Sequence, residues 1–549
     1  MSSCKFLSVL AAALFLAACV NIDPELGSSM VPVSSTYKTV TPAAIPIGVK
    51  QLMADSLSGF SNNRITIGAI RQDAEFGLTT RSSVVSLIPL FNTKHDMGTD
   101  RKFISMHFMV ALDSISVENK AEAGILQNVG VYEAGRRVDF KADGNCNAVF
   151  PHGTVRVSDG VPVINGQDSL SFWFTEEYGS KYLKADEYMA GGFQTYTENL
   201  PGIYLDTPAP AGQGGRINIF ELQLGYNSNT GYITGNYATL RYSAVYNGER
   251  KDTSVFFYMG ATGLYDLDSL STNSGTGNFP QYALNLTGHQ TAGHAGDAGA
   301  TVLVEGGGGL KPVVSAAEIR QAMINEIDSR EGAGAHAKAV INRATLNFHY
   351  VDDFAGGGDY ELLYKLPQIL SPTCRLHAND TTVTFMGLTD SSSSEENQGD
   401  RDLSLLSFNP DITYHAQELL NMDDSAAGLV NGNYDIWLLI MHNDVVTTTS
   451  SGNSDLSDYY QYLAYQSYMS NMYGGYGGYG YGSYGSYGYS NYYNYAMLAQ
   501  MYGQSTTSTS TQTNLDRDRY YCCRLYGPTE ATVALRPTLT FTYSVPNKL

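Results

Sequence analysis

The residue with the most definite chemistry is Cys19, which closes the stretch Leu16-Ala17-Ala18-Cys19. Ahead of it lie Lys5 and a short apolar run over residues 6–16, FLSVLAAALFL. A thiol behind small residues and a short hydrophobic core matches a bacterial lipobox, whose Cys is diacylated and becomes the first mature residue. The run is too short to cross a bilayer, so residues 1–18 read as a lipoprotein signal peptide. Fatty acyl chains such as palmitate on Cys19 would hold the mature chain firmly to a membrane. Val20, in place of Asp, follows the Cys, with Asp23 and Glu25 close behind. The expectation is an outer-membrane, lipid-anchored protein on the periplasmic or cell-surface face, leaning to the surface.

Other residues could do chemistry, and each has a plainer use. Once the signal is removed, Cys146, Cys374, Cys522 and Cys523 remain, and four thiols allow three pairings. Their spacing matches no zinc site, and buried isolated thiols are the simplest reading. His289, His294 and Asp297 are metal-ligand types, but their Gly- and Ala-rich surroundings read as a solvated loop. Gly306 to Gly309 with Lys311 approaches a phosphate loop, yet Leu310 and Pro312 stand where Gly and Ser or Thr are needed. Glycines before a helix more often serve positive-φ turns or close packing. No G-x-S-x-G or H-E-x-x-H occurs, and Asp352, Asp353 and Glu361 form no assignable carboxylate pair. No catalytic residue, metal or cofactor is expected. Asp-(Ser/Thr)-apolar triplets at Ser56, Ser114, Ser169, Ser269, Thr381 and Ser425 resemble an O-glycan acceptor pattern, and modification is expected at one or more of them, with Ser269 the best candidate.

The last group is tyrosine. Residues 461–515 contain no Asp, Glu, Lys or Arg, and Tyr473, Tyr476, Tyr479, Tyr481, Tyr484, Tyr487 and Tyr489 recur among glycines. Low complexity without charge rarely forms a core, so the segment reads as a long hairpin insertion over 459–515. Its rings could make aromatic contacts with sugars or with other apolar surfaces.

What must position these residues is mostly strand. The chain has 549 residues, 43% hydrophobic but only 16% charged, and Gly, Ser, Thr, Asn and Tyr fill the difference. A formal charge of −20 argues against nucleic acid, whose phosphates demand Lys and Arg. Short aliphatic and aromatic runs broken by turn residues recur at 64–70, 103–112, 170–174, 217–224, 238–246 and 253–259. A second set follows at 301–304, 341–351, 381–386, 412–415, 434–441 and 530–545. Such patterning predicts an all-β chain of two β-sandwich (jelly-roll-like) domains with a few short helices. Helices are expected at 55–61, around 176–189 and after the Ser315–Glu318 capping box. The expected division is a lipidated tether at 19–45, domain 1 at 46–268, a linker at 269–300 and domain 2 at 301–549.

Four stretches together resemble the Bacteroidetes lipoproteins grouped as domain of unknown function 4270. They are Leu26-Gly27-Ser28-Ser29-Met30-Val31-Pro32, Ile67-Gly68-Ala69-Ile70-Arg71-Gln72-Asp73 with Phe76-Gly77, Val304 through Lys311, and Arg536 through Tyr543. They run in family order over nearly the whole mature chain. In two of them the residues depart from the family pattern, at Ala69-Ile70 and Glu305-Gly306-Gly307. The resemblance implies jelly-roll-type sandwiches and an envelope location, and it implies no reaction. The acidic Asp23 and Glu25 after the Cys resemble the surface-export signal of such lipoproteins. The function expected is non-enzymatic binding or structural support in the cell envelope, within an outer-membrane protein complex. The alternative is surface carbohydrate binding or adhesion, with a hydrolase ranked last. Partners would be the membrane, through Cys19, and an outer-membrane protein or a glycan.

Overall fold

Runs rich in Val, Ile, Thr and aromatics favour extended backbone, and the chain follows that preference: among the described residues 49% are strand and 18% helical. The computed structural model describes residues 36–547 except 62, 90–95, 140–142, 167, 223, 228–231, 260–282, 352–364, 378–382, 393–397 and 450–506. The all-β expectation with short helices holds.

The principal elements of the first half are β1 (Tyr37–Val40), β2 (Lys50–Met53), β3 (Arg64–Arg71), β4 (Leu78–Val85), β5 (Thr99–Val117) and β6 (Ser169–Trp173). Three helices follow, α1 (Glu176–Gly179), α2 (Ala185–Ala190) and α3 (Phe193–Asn199). Then come β7 (Gly214–Glu221), β8 (Tyr237–Tyr246), β9 (Glu249–Tyr258) and β10 (Ala283–His289). Strands β4, β3, β7, β5, β8 and β9 are successive neighbours in a 13-stranded sheet, with β6 on β5 and β10 on β4. Alternation sorts the side chains: Met106, Phe108 and Val110 of β5 are buried, whereas His107 and Met109 point to the other face. The buried side is covered by the helices: Tyr178 of α1, Tyr182 of the 3-10 turn between α1 and α2, and Tyr196 of α3 join the core of Phe108, Phe172 and Phe174.

The second half contains β11 (Thr301–Glu305), β12 (Leu310–Val314), α4 (Ala316–Glu331), β13 (Val340–His349) and β14 (Ile369–His377). It ends with α5 (Thr413–Asn421), β15 (Ile436–Thr449), β16 (Thr507–Leu515), β17 (Cys522–Tyr526) and β18 (Thr538–Pro546). In the seven-stranded sheet β2, β12, β15 and β14 are neighbours; β1, β18 and β13 are neighbours in the six-stranded one. Helix α4 buries Ala316, Ile319, Met323 and Ile327, spaced three or four residues apart on one stripe. Each fully buried Ile or Met there contributes about 1.5–3 kcal/mol. The Ser315 hydroxyl accepts from Glu318 N–H, as the capping box predicts.

Several expectations are corrected. Part of the expected tether is strand: β1 pairs with β18 from Tyr37↔Pro546 to Val40↔Tyr543, and Ile45–Pro46 pairs with the same strand. Part of the expected linker is strand too, because β10 pairs with β4 and Gly296–Asp297 pairs with β2. Buried partners override the loop-like composition of these segments. Residues 55–61 form a turn and a two-residue strand, not a helix. Residues 412–415 open helix α5 instead of a strand.

Candidate functional site

Residues 306–309 form the loop that joins β11 to β12, and glycine is required there for physical reasons. Gly307 has φ +56°, and a Cβ on it would strike the Arg81 guanidinium. A Cβ on Gly308 would strike Asn147 and Cys146. The loop thus threads between first-half and second-half residues with no room for side chains. Lys311 points back into it, donating from Nζ to the carbonyls of Glu305 (2.5 Å), Gly307 (3.0 Å) and Gly309 (3.0 Å). The glycines therefore cage an ammonium and do not cradle a phosphate. Burial presses the Lys311 amine down to about 7, against the pull of Glu305.

Beside the cage lies a closed charge network. Glu305 accepts from Thr291 Oγ1 at 2.5 Å and from Leu310 N–H at 3.1 Å, and its Oε1 lies 3.3 Å from His289 Nδ1. Burial alone would raise this carboxyl, but His289, Thr291 and the Leu310 amide outweigh it and hold it at about 2. Desolvation lowers the His289 imidazole, favouring its neutral form. Both side chains are at most 2% exposed. Arg81, equally buried, donates to Thr287, while its Nε and Nη2 have no partner among the described residues. Groups sealed this way join residues of the two halves.

More polar contacts continue this seam. Asn147 Nδ2 donates to Gly308 O at 3.1 Å, Lys365 pairs with Glu118 at 2.6 Å, and Arg524 meets Asp73 and Glu75. Tyr520 donates to Gln72 and Glu118. Sequence reasoning missed Arg81, Glu305 and this seam. The available signal was a charge at an inward strand position: Arg81 shares its face with buried Thr79 and Ser83.

The other predicted residues fall as follows. His289 is buried in β10, whereas His294 and Asp297 are exposed, so no metal cluster forms; among the described residues there is none. Instead of a solvated loop, the segment is β10, a short 3-10 helix (Gln290–His294) and a strand. Cys146, Cys374, Cys522 and Cys523 are buried and form no disulfide among the described residues, and desolvation pushes Cys374 and Cys522 up to about 12. They are thiols with packing roles. Of the acceptor positions, Ser425 is exposed in a turn, while Ser56, Ser114 and Ser169 are partly covered. Cys19, Ser269, Thr381, Asp352, Asp353, Glu361 and the seven tyrosines lie outside the described residues.

The tyrosine segment is placed by what flanks it. Strands β15 and β16 pair antiparallel from Met441↔Leu515 to Thr449↔Thr507. Pairing of β15 with β14 stops at Met441, so beyond it β15 and β16 form a two-stranded ribbon among the described residues. The ribbon's open end carries residues 450–506. The class defined is a strand-rich protein whose halves are locked by buried charge and which extends a polar ribbon. No family model, curated protein or solved structure matches the chain.

Proposed function

We propose that this protein is a non-enzymatic, lipid-anchored component of the outer membrane that binds or supports a partner in the cell envelope. The observation that carries the reading is Leu16-Ala17-Ala18-Cys19 behind a short apolar run. The order of the chain agrees with it: Cys19 precedes β1, the first described strand, which begins at Tyr37. Membership of the lipoproteins grouped as domain of unknown function 4270 belongs to the same proposal. The partner is an outer-membrane protein, met through the uncharged tyrosine-rich segment at the end of the β15–β16 ribbon.

Two measurements test this. Cells grown with an alkyne fatty acid should label the wild-type chain, and Cys19→Ala should abolish both the label and the membrane fractionation. Cross-linking and affinity purification from solubilised envelopes should recover a defined outer-membrane protein. Unlabelled wild-type chain in the soluble fraction would sink the anchor. A second reading, surface carbohydrate capture, is favoured by one feature, an exposed aromatic sheet face.

A further inference from the structure

The chain has two tryptophans, and they are used in opposite ways. Trp437 is buried, whereas Trp173 is 50% exposed on the outer face of β6. Exposing a large ring on a rigid strand costs hydrophobic burial, so its surroundings are informative. Register places Trp173 opposite His107, His107 opposite Thr239, and Thr239 opposite Phe256. These four residues make one straight row across β6, β5, β8 and β9. Three strand spacings give the row a length of about 14 Å.

Each end of the row is braced. The His107 and Trp173 ring centroids are 4.5 Å apart, and His107 Nε2 lies 2.7 Å from Ser171 Oγ. Tyr237 meets Phe256 edge-on at 5.3 Å. Met109, 40% exposed, lies between Ser171 and Tyr237 in the neighbouring row. The result is a line of rings interleaved with hydroxyls. That combination suits a pyranose chain, which has apolar C–H faces and a polar rim.

Charge narrows the ligand further. Exposed Arg241, on the other flank of the row, has Ser105 and Ser254 as its direct cross-strand neighbours and no ion-pair partner among the described residues. In a chain with 53 acidic and 33 basic residues, a guanidinium held in no ion pair complements an anionic group.

We propose that the outward face of β6, β5, β8 and β9 binds a linear oligosaccharide bearing carboxylate groups. Sugar rings stack on Trp173 and Phe256, and Arg241 takes a carboxylate. The site gives the carbohydrate-capture reading a ligand class, and it stands without the lipid anchor or the tyrosine segment.

The test is calorimetry on the full chain in detergent, with short oligogalacturonates and neutral galactose oligomers of matched length. The acidic oligomers should bind more tightly than the neutral ones. Trp173→Ala should weaken binding about tenfold or more while the melting temperature and circular dichroism stay unchanged. Arg241→Gln should erase the preference for the acidic ligand. The proposal is overturned if neither sugar binds, if only the neutral ones bind, or if Trp173→Ala binds like wild type. It is equally overturned if the face instead captures an envelope protein in a Trp173-dependent way with no sugar binding. Loss of fatty-acid labelling with intact sugar binding would sink the anchor alone.

Discussion

Glu305 is buried with every partner a carboxylate wants: a hydroxyl, an amide and an imidazole. Its folded pKa of about 2 lies below the ordinary value of 4.5, so the charged form is favoured by folding. The sign follows from linkage. The unfolded chain binds the proton first, so this stabilisation is present above pH 4.5 and disappears as pH falls towards about 2. The shift corresponds to on the order of 3 kcal/mol. Glu305→Gln should therefore lower the urea midpoint at neutral pH and flatten the acid limb between pH 4.5 and 2. An unchanged acid limb would mean that other carboxylates govern acid unfolding. None of this was readable at residue 305, because a Glu beside four glycines looks like a turn residue.

Among the elements, α4 and α5 differ in how they declare themselves. The start of α4 is local: Ser315 caps it and its apolar stripe repeats at helical spacing. The start of α5 is not. Asp390, from a distant 3-10 turn, accepts from Tyr414 N–H at 2.5 Å and His415 N–H at 3.0 Å. Within the segment, Asp411 accepts from Thr413 N–H at 2.9 Å. Orphan amides at a helix start need such acceptors, and here the main one arrives by tertiary contact. A window of Ile412, Thr413 and Tyr414 reads as strand for that reason. Asp390→Ala should destabilise by about 1–2 kcal/mol in chemical denaturation, comparable to or larger than the effect of Ser315→Ala. A negligible cost would show that packing of Ala416, Leu419 and Leu420 alone holds the helix.

For the whole molecule, the ribbon and the chain ends are the telling parts. Residues 472–501 lie beyond the paired length of β15 and β16, so deleting them leaves every register pair among the described residues in place. The melting temperature of that deletion should stay close to wild type, while recovery of an envelope partner in affinity purification should be lost. A large fall in melting temperature would place the tyrosines in the folded core. The first and last described strands behave in the opposite manner, because β1 hydrogen-bonds to β18. The N-terminal segment is therefore stitched to the C-terminal half before the first-half sheet begins.

Sequence alone determined the β class, the capping of α4, the hairpin position of the tyrosine segment and the expectation of a lipid at Cys19. These depend on composition, periodicity and short spacings, which act within a few residues. Tertiary structure alone decided that Tyr37–Val40 is a strand, that Gly307 and Gly308 press against Arg81 and Asn147, and that Trp173 shares a row with His107, Thr239 and Phe256. Each of those needs residues far apart in the chain to meet. Strand pairing and burial set which side chains meet, and neither leaves a local mark in the sequence.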